Sequence, residues 1–236
     1  MRLRITFSKS GALRYTGHLD LQTTWERTIR RAGLPLAYTH GFHPGPRIQI
    51  ASALPLGFIG RAEIVDIWLQ EPVGTGLAGA WVDTLQPAAP PGLTILSVEQ
   101  VDEAGPALQT RVVSAEYAAT LLDPVDQVEL AQRLAAALNT ESLPRERRGK
   151  PYNLRPLIEA LFILPVAQLA PTPSQSGLDA TSGNGQVGGQ GLKIFMRLAA
   201  RDGATARPEA VLEVLGIPFE TTRIERTRLI LNSGIE

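Results

Sequence analysis

The chain has no cysteine. That excludes disulfides, thiol nucleophiles, cysteine-held zinc and iron–sulfur clusters within its 236 residues. Such a composition fits a reducing compartment. Long apolar runs are also missing, and the opening MRLRITFSKSG lacks the apolar core of a signal peptide. A soluble, cytoplasmic protein with no membrane partner is the expectation. Histidine is scarce, at three residues, and all of them fall between positions 18 and 43. The Gly-x-Ser-x-Gly pattern, the P-loop and the dinucleotide-binding glycine pattern do not occur, and there is no Ser/His/Asp signal. No cofactor is expected, and no residue is assigned a catalytic role.

What is present suits an ordinary folded protein. Hydrophobic residues make up 44% and charged residues 19%, enough for one large core or two small ones. The net charge is zero but unevenly spread. Residues 1–50 hold Arg2, Arg4, Lys9, Arg14, Arg27, Arg30, Arg31 and Arg47 against Asp20 and Glu26, a local excess of +6. An excess of this kind attracts polyanions, although arginines also serve simply to solvate helix and strand faces.

Hydrophobic periodicity sets the element order. RLRITFS alternates, with Leu3, Ile5 and Phe7 on one side and Arg2 and Arg4 on the other, which is a half-buried strand. A helix is predicted to start near Asp20 as N-cap. Leu21, Trp25, Ile29 and Ala32 form its stripe, Gly33 stands just past its end, and Pro35 blocks continuation. THGFHPGPR (39–47) has two Gly and two Pro, hence a shaped loop. Strands are predicted at 47–53 and 62–70, a weak helix at 74–86 and a strand at 93–101. After a linker at 102–110 the order recurs. It runs through a strand at 111–122, a helix at 125–139 with Val128, Ala131, Leu134 and Leu138 along one side, and a basic turn at 145–155. Residues 156–166 are ambiguous between helix and strand. A strand at 191–200, a helix at 207–215 and a strand at 222–232 follow. The fold class read from this is α+β: two tandem ferredoxin-like (βαββαβ) halves with antiparallel sheets, 1–104 and 105–236. A flexible Gly/Ser/Thr/Gln-rich insertion is expected at about 168–190.

Residues 15–57 are the first place to look for a site. The spacings of His18, His40 and His43 do not match a helical i,i+4 metal pair, and no acidic partner lies in the loop, so no metal site is expected. General acid–base work is a second reading, in which His43 or His18 pairs with Arg47 or Lys9 to cleave RNA without metal. Against it stands the simpler reading that the loop histidines only shape the loop. Binding is the third. Its candidate residues are His18, Asp20, Arg27, Arg30, Arg31, His40, Phe42, His43, Arg47 and Asp66. On strand alternation Arg2, Arg4, Arg47, Gln49 and Asp66 form one polar sheet face, free to meet nucleic acid or a partner, or buried within the chain.

GHLDLQTTWERTIRRAGLPLAYTHGFHPGPRIQIASALPLG followed by AEIVDIWL resembles the radical-SAM-linked domain-of-unknown-function family, as do NLRPLIEAL and RTRLIL further on. The loop departs from that family's pattern. It has His40 where Gln is usual, His43 where Asn is usual and Gly45 where His is usual. The resemblance therefore carries over to Gly17, His18, Asp20, Gly41, Phe42, Pro44, Pro46, the Leu54–Gly57 run and Asp66. It implies a partner, a cobalamin-type radical SAM protein fused to the chain or encoded beside it, and no reaction of its own. The expected function is an accessory binding module presenting RNA or a protein partner. The alternative is a metal-independent endoribonuclease, since the tandem fold is similar to that of CRISPR repeat-processing endoribonucleases, a likeness of fold only.

Overall fold

The computed structural model describes residues 1–70, 80–165 and 191–232. The expected insertion and the first part of the 74–86 helix, including Leu77, lie outside the described residues. The first half runs β1 (Arg2–Lys9), α1 (His18–Arg31), β2 (Ile48–Ile50), β3 (Ile59–Trp68), α2 (Trp81–Leu85) and β4 (Leu93–Val101). The second runs α3 (Leu108–Arg111), β5 (Val112–Leu121), α4 (Gln127–Asn139), β6 (Pro144–Arg147), β7 (Lys150–Asn153) and β8 (Ile158–Ile163). It continues with β9 (Lys193–Arg201), β10 (Ala204–Thr205), α5 (Pro208–Val214) and β11 (Thr222–Leu231). The ambiguous 156–166 stretch resolves into a short 3-10 turn, Arg155–Leu157, and the strand β8. Among the described residues no helix is long and apolar enough to cross a membrane.

The fold is mixed α+β with a mostly antiparallel sheet. Among the described residues nine strands join in one sheet, β10-β9-β5-β11-β3-β1-β4, with β2 on β3 and β8 on β9, while β6 and β7 form a separate hairpin. Among the described pairings only β11 with β3 is parallel, through Glu225↔Ile59 and Arg226↔Gly60. One edge of β3 is thus divided. β2 occupies it opposite Val65–Ile67, and β11 meets it at Ile59 and Gly60. This division shortens the strand predicted at 47–53. Past Ile50 the chain makes one more bond to β3, Ala51 N–H to the Ile64 carbonyl, and then leaves the ladder.

Two cores pack against the sheet, and the second also takes in Ala51, Leu54 and Phe58 from the stretch after β2. Leu3, Ile5 and Phe7 pack with Leu21, Trp25 and Ile29 of α1 and with Trp81 and Leu85 of α2, and the Phe7 and Trp25 rings meet edge to face at 4.9 Å. In the second half Ala115, Tyr117 and Ala119 pack against α4 and α5. Helix α4 turns Leu130, Leu134 and Ala137 inward; of the predicted stripe Leu134 is buried and Leu138 packs at the edge of the core, whereas Ala131 is exposed and Val128 is 68% exposed. In a helix rich in Ala and Leu two apolar stripes compete, and the sheet chooses between them.

The predicted polar face is real but closed. Asp66 has no exposed surface and accepts bonds from Arg2 Nε (2.9 Å) and Nη2 (2.6 Å) and from Arg4 Nε and Nη2 (both 2.9 Å). Arg2 also donates to the Gly105 and Pro106 carbonyls, and Gln49 Oε1 accepts from Leu108 N–H. The segment expected to be a linker is therefore laid over this face, and its Leu108 is fully buried.

In the second half Glu116 of β5 bridges Arg197 of β9 (2.6 Å) and Arg228 of β11 (3.0 Å). Burial opposes the Glu116 charge, but hydrogen bonds from Arg228 and Arg197 outweigh it and hold the carboxyl below its ordinary pKa. A depressed folded-state pKa contributes stability above the unfolded value and loses it as pH falls through the folded one. Stability is expected to decline as pH drops below the carboxylate range of about 4, and Glu116→Gln should flatten that decline. Urea midpoints measured across pH 3–6 check this; parallel curves for the two proteins would refute it.

Candidate binding site

The site is built from the end of α1 and the loop that follows. Helix α1 starts one turn earlier than predicted. Gly17 is its N-cap, and Asp20 sits in the first turn, where a carboxylate complements the helix dipole without capping. The other end forms as predicted. Gly33 has φ 70°, its N–H reaches the Arg30 carbonyl at 3.0 Å, and Leu34 N–H reaches the Ile29 carbonyl at 3.2 Å. This double closure needs a left-handed residue just past the helix, a role that suits glycine.

From there the chain runs back along β3, with Ala37 N–H bonded to the Trp68 carbonyl at 2.7 Å. Residues 37–39 then pair with 45–47. Arg47 N–H donates to Ala37, Thr39 N–H donates to Gly45 at 2.8 Å, and Gly45 N–H donates to Thr39 Oγ1 at 3.0 Å. Tyr38, opposite Pro46, fastens the base to α1: its hydroxyl accepts from Arg30 Nη2 (2.6 Å) and donates to Glu26 Oε1 (3.2 Å). What projects from this clamp is His40-Gly41-Phe42-His43-Pro44, all exposed, with Phe42 at 102%.

The candidate residues divide accordingly. His40, Phe42 and His43 are together on the tip. Arg27 and Arg31 are exposed on α1, and Arg30 is tied to Glu26 and Tyr38. Arg47 is half-buried, its guanidinium 4.7 Å from the centre of the Trp68 ring, which Arg2 also approaches at 4.7 Å. His18 and Asp20 are exposed at the start of α1, about two to three turns before the residues that hold Tyr38, or about 9–18 Å along the axis. Asp66 lies in the buried arginine cluster. Among the described residues no group of His, Asp or Glu gathers in a way that holds a metal ion.

Of the eight cations in residues 1–50, the structure buries three. Arg2 and Arg4 are spent on Asp66, and Lys9, 1% exposed, donates to the Thr16 carbonyl at 2.7 Å. Lys9 therefore stands in no position to face a phosphate. Sequence reasoning missed Tyr38, because a residue in an isolated bridge belongs to no periodic run. It also missed a cavity of about 270 Å³ where the halves meet, lined by Arg14, Tyr15, Leu56, Phe219 and Arg223 among others. With Leu122, these residues come from four distant segments.

The family model described as an uncharacterized protein conserved in bacteria, DUF2344, matches residues 2–208. The chain belongs to the DUF2344 family. No curated protein matches it. Among solved structures it is similar to a chain of the archaeal box H/ACA sRNP Nop10-Cbf5 complex, at 11% identity and a TM-score of 0.43. That match covers 97% of this family member and 48% of the other chain, so the chain spans about half the length of the solved protein. At that TM-score the likeness carries no argument about function.

Proposed function

We propose that this DUF2344 protein is an accessory binding module that works beside a radical SAM enzyme and grips a partner with the 39–46 loop. The observation that carries this reading is Phe42: a whole aromatic side chain in solvent, on a tip whose base is clamped on both sides. Such a tip has little conformational entropy left to lose on binding, and a large apolar side chain seated in a partner's pocket is the usual anchor of an interface. The tip itself carries no Arg or Lys, so a protein surface suits it better than RNA. The radical SAM partner rests on the resemblance of the 17–57 stretch. We read the chain as tandem ferredoxin-like halves, 1–104 and 105–236; the matching orders β4-β1-β3-β2 and β11-β5-β9-β8 support that reading.

Co-purification of the tagged full chain from cell extract, with and without nuclease, tests the proposal. The radical SAM protein should be captured in both cases. Phe42→Ala should weaken capture about 30-fold, the scale of a hot-spot residue, while changing unfolding stability by less than about 0.5 kcal/mol. Capture that survives Phe42→Ala unchanged, or that nuclease abolishes, refutes the loop as the grip.

A further inference from the structure

The β6–β7 hairpin stands apart from the main sheet. Its register is Arg145↔Tyr152 and Arg147↔Lys150, with Pro144↔Asn153 and Glu146↔Pro151 between. Cross-strand partners share a face, and so do residues two apart on a strand. Arg145, Arg147, Lys150 and Tyr152 therefore stand on one face, and the hairpin's single carboxylate, Glu146, is on the other. Arg147 directly opposite Lys150 is a like-charge pair, which weakens a hairpin. The turn adds a second cost. Arg148 has φ 51° and Gly149 φ 74°, so both central residues are left-handed, a place that suits Asn or Gly and strains Arg. Local folding preference thus opposes these cations twice.

The hairpin is nevertheless held firmly at its base. Asn153 Oδ1 accepts from Leu143 and Arg155 N–H, Leu154 N–H donates to the Leu143 carbonyl, and Leu154 is fully buried. On one flank, charges balance: Arg145, Arg147 and Arg207 share a cavity of about 320 Å³ with Glu146, Glu209 and Glu213. On the other flank they do not. A groove of about 610 Å³ between the hairpin and the β9–β10 turn is lined by Arg147, Arg148, Lys150 and Tyr152, with Asp202 as its one carboxylate. Arg147, Arg148 and Lys150 are exposed and have no ion pair or side-chain hydrogen bond among the described residues.

We propose that this groove binds single-stranded nucleic acid, with phosphates on Arg147, Arg148 and Lys150 and a base against Tyr152. Guanidinium forks match phosphate oxygens, an aromatic beside a cationic track is the single-strand pattern, and the groove is of a size that holds a nucleotide. Asp202 on the opposite wall repels phosphate toward the hairpin and is free to accept from a base amino group or a ribose hydroxyl. The proposal does not depend on the 39–46 loop. It provides a second site, so that one protein grips a partner with the loop and a strand with the hairpin.

Fluorescence polarisation of the full chain with a labelled 12-nucleotide mixed-sequence RNA tests it. Affinity should fall with salt with a log–log slope of about −2, as three neutralised phosphates on a single strand require. Changing Arg147, Arg148 and Lys150 together to Ala should lower affinity at least 10-fold and bring the slope near zero. Tyr152→Leu should weaken binding about 10-fold and leave the slope unchanged. Arg148→Asn suits the turn better than Arg, so it should keep or raise the melting temperature while reducing affinity and slope; this separates lost charge from lost folding. Phe42→Ala should bind RNA as the unaltered chain does, whether or not it loses its protein partner. No binding at 50 mM salt, hairpin variants that bind like the parent, or displacement by polyglutamate at equal charge would each overturn the proposal, the last in favour of an acidic protein ligand.

Discussion

Glu63→Ala is expected to cost about 3–5 kcal/mol of folding stability, the usual result of leaving a buried charge without its partner, and to lower Tm by on the order of 10 °C. The reason lies where β11 joins β3. Glu63 is 2% and Arg226 1% exposed, and both Glu63 oxygens accept from Arg226, Oε1 from Nε at 2.8 Å and Oε2 from Nη2. Burial works against the Arg226 charge, and the Glu63 carboxylate beside it more than restores it, raising its pKa. Arg226 also fills the gap left where β2 departs, donating to the Ser52 and Ala53 carbonyls at 3.0 Å. Lys9 is the third member. Burial holds its ammonium pKa below the ordinary value, an effect that Glu63 only partly offsets and Arg226 adds to. Without Glu63, two buried cations share no anion. Lys9 can shed its proton, but Arg226 cannot at any pH where the protein is folded.

The glycine opposite is part of the same joint. A Cβ on Gly60 would lie 2.5 Å from Glu63 Cγ, so the carboxylate reaches Arg226 only because residue 60 has no side chain. Equilibrium urea unfolding followed by circular dichroism measures the effect. Replacing both partners, Glu63→Leu with Arg226→Met, should recover most of the loss and leave a deficit of about 1–2 kcal/mol for the Ser52 and Ala53 carbonyls that lose their donors. A single variant within 1 kcal/mol of the parent would mean that water reaches this joint and solvates the arginine.

Asp66→Ala comes next, with an expected loss of about 3–5 kcal/mol for the same physical reason. Here one carboxylate serves two guanidiniums, so its removal leaves Arg2 and Arg4 facing each other across a closed face. Asp66→Asn keeps the shape and one acceptor oxygen but not the charge, and should lie between the two. Arg2 also holds the 102–106 segment through its carbonyl bonds. Amide hydrogen exchange at residues 102–108 should therefore accelerate in Asp66→Ala beyond the change seen at Leu21–Ile29. Uniform acceleration, with no excess at 102–108, would show that the arginine cluster does not latch that segment. Asp66 was a candidate contact for a partner; its burial makes it a folding residue, so lost binding in Asp66 variants should track the lost folded fraction.

Sequence patterning alone determined the local elements. Alternation along Arg2–Lys9, the Leu21–Trp25–Ile29 stripe, the glycine that closes α1 and the shaped 39–47 loop are each set by neighbours within a few residues, through φ preference and burial of one face. At the start of α4 the sequence offers both Asp123 and Asp126, and it is the Asp126 carboxylate that accepts from the Val128 and Glu129 N–H groups. Tertiary structure decided the rest, because the deciding partners are distant along the chain. Arg2 meets Asp66 64 residues on, and Glu63 meets Arg226 163 residues on. No periodicity distinguishes an arginine that will be buried by such a pairing from one that solvates a surface. The +6 of the first fifty residues therefore includes three charges, on Arg2, Arg4 and Lys9, that folding takes out of solvent. The hairpin shows the converse. Its cations were visible as a basic turn, but only the register that sets Arg147 against Lys150, and the turn that holds Arg148 left-handed, gathers them on a groove where Asp202 is the one carboxylate.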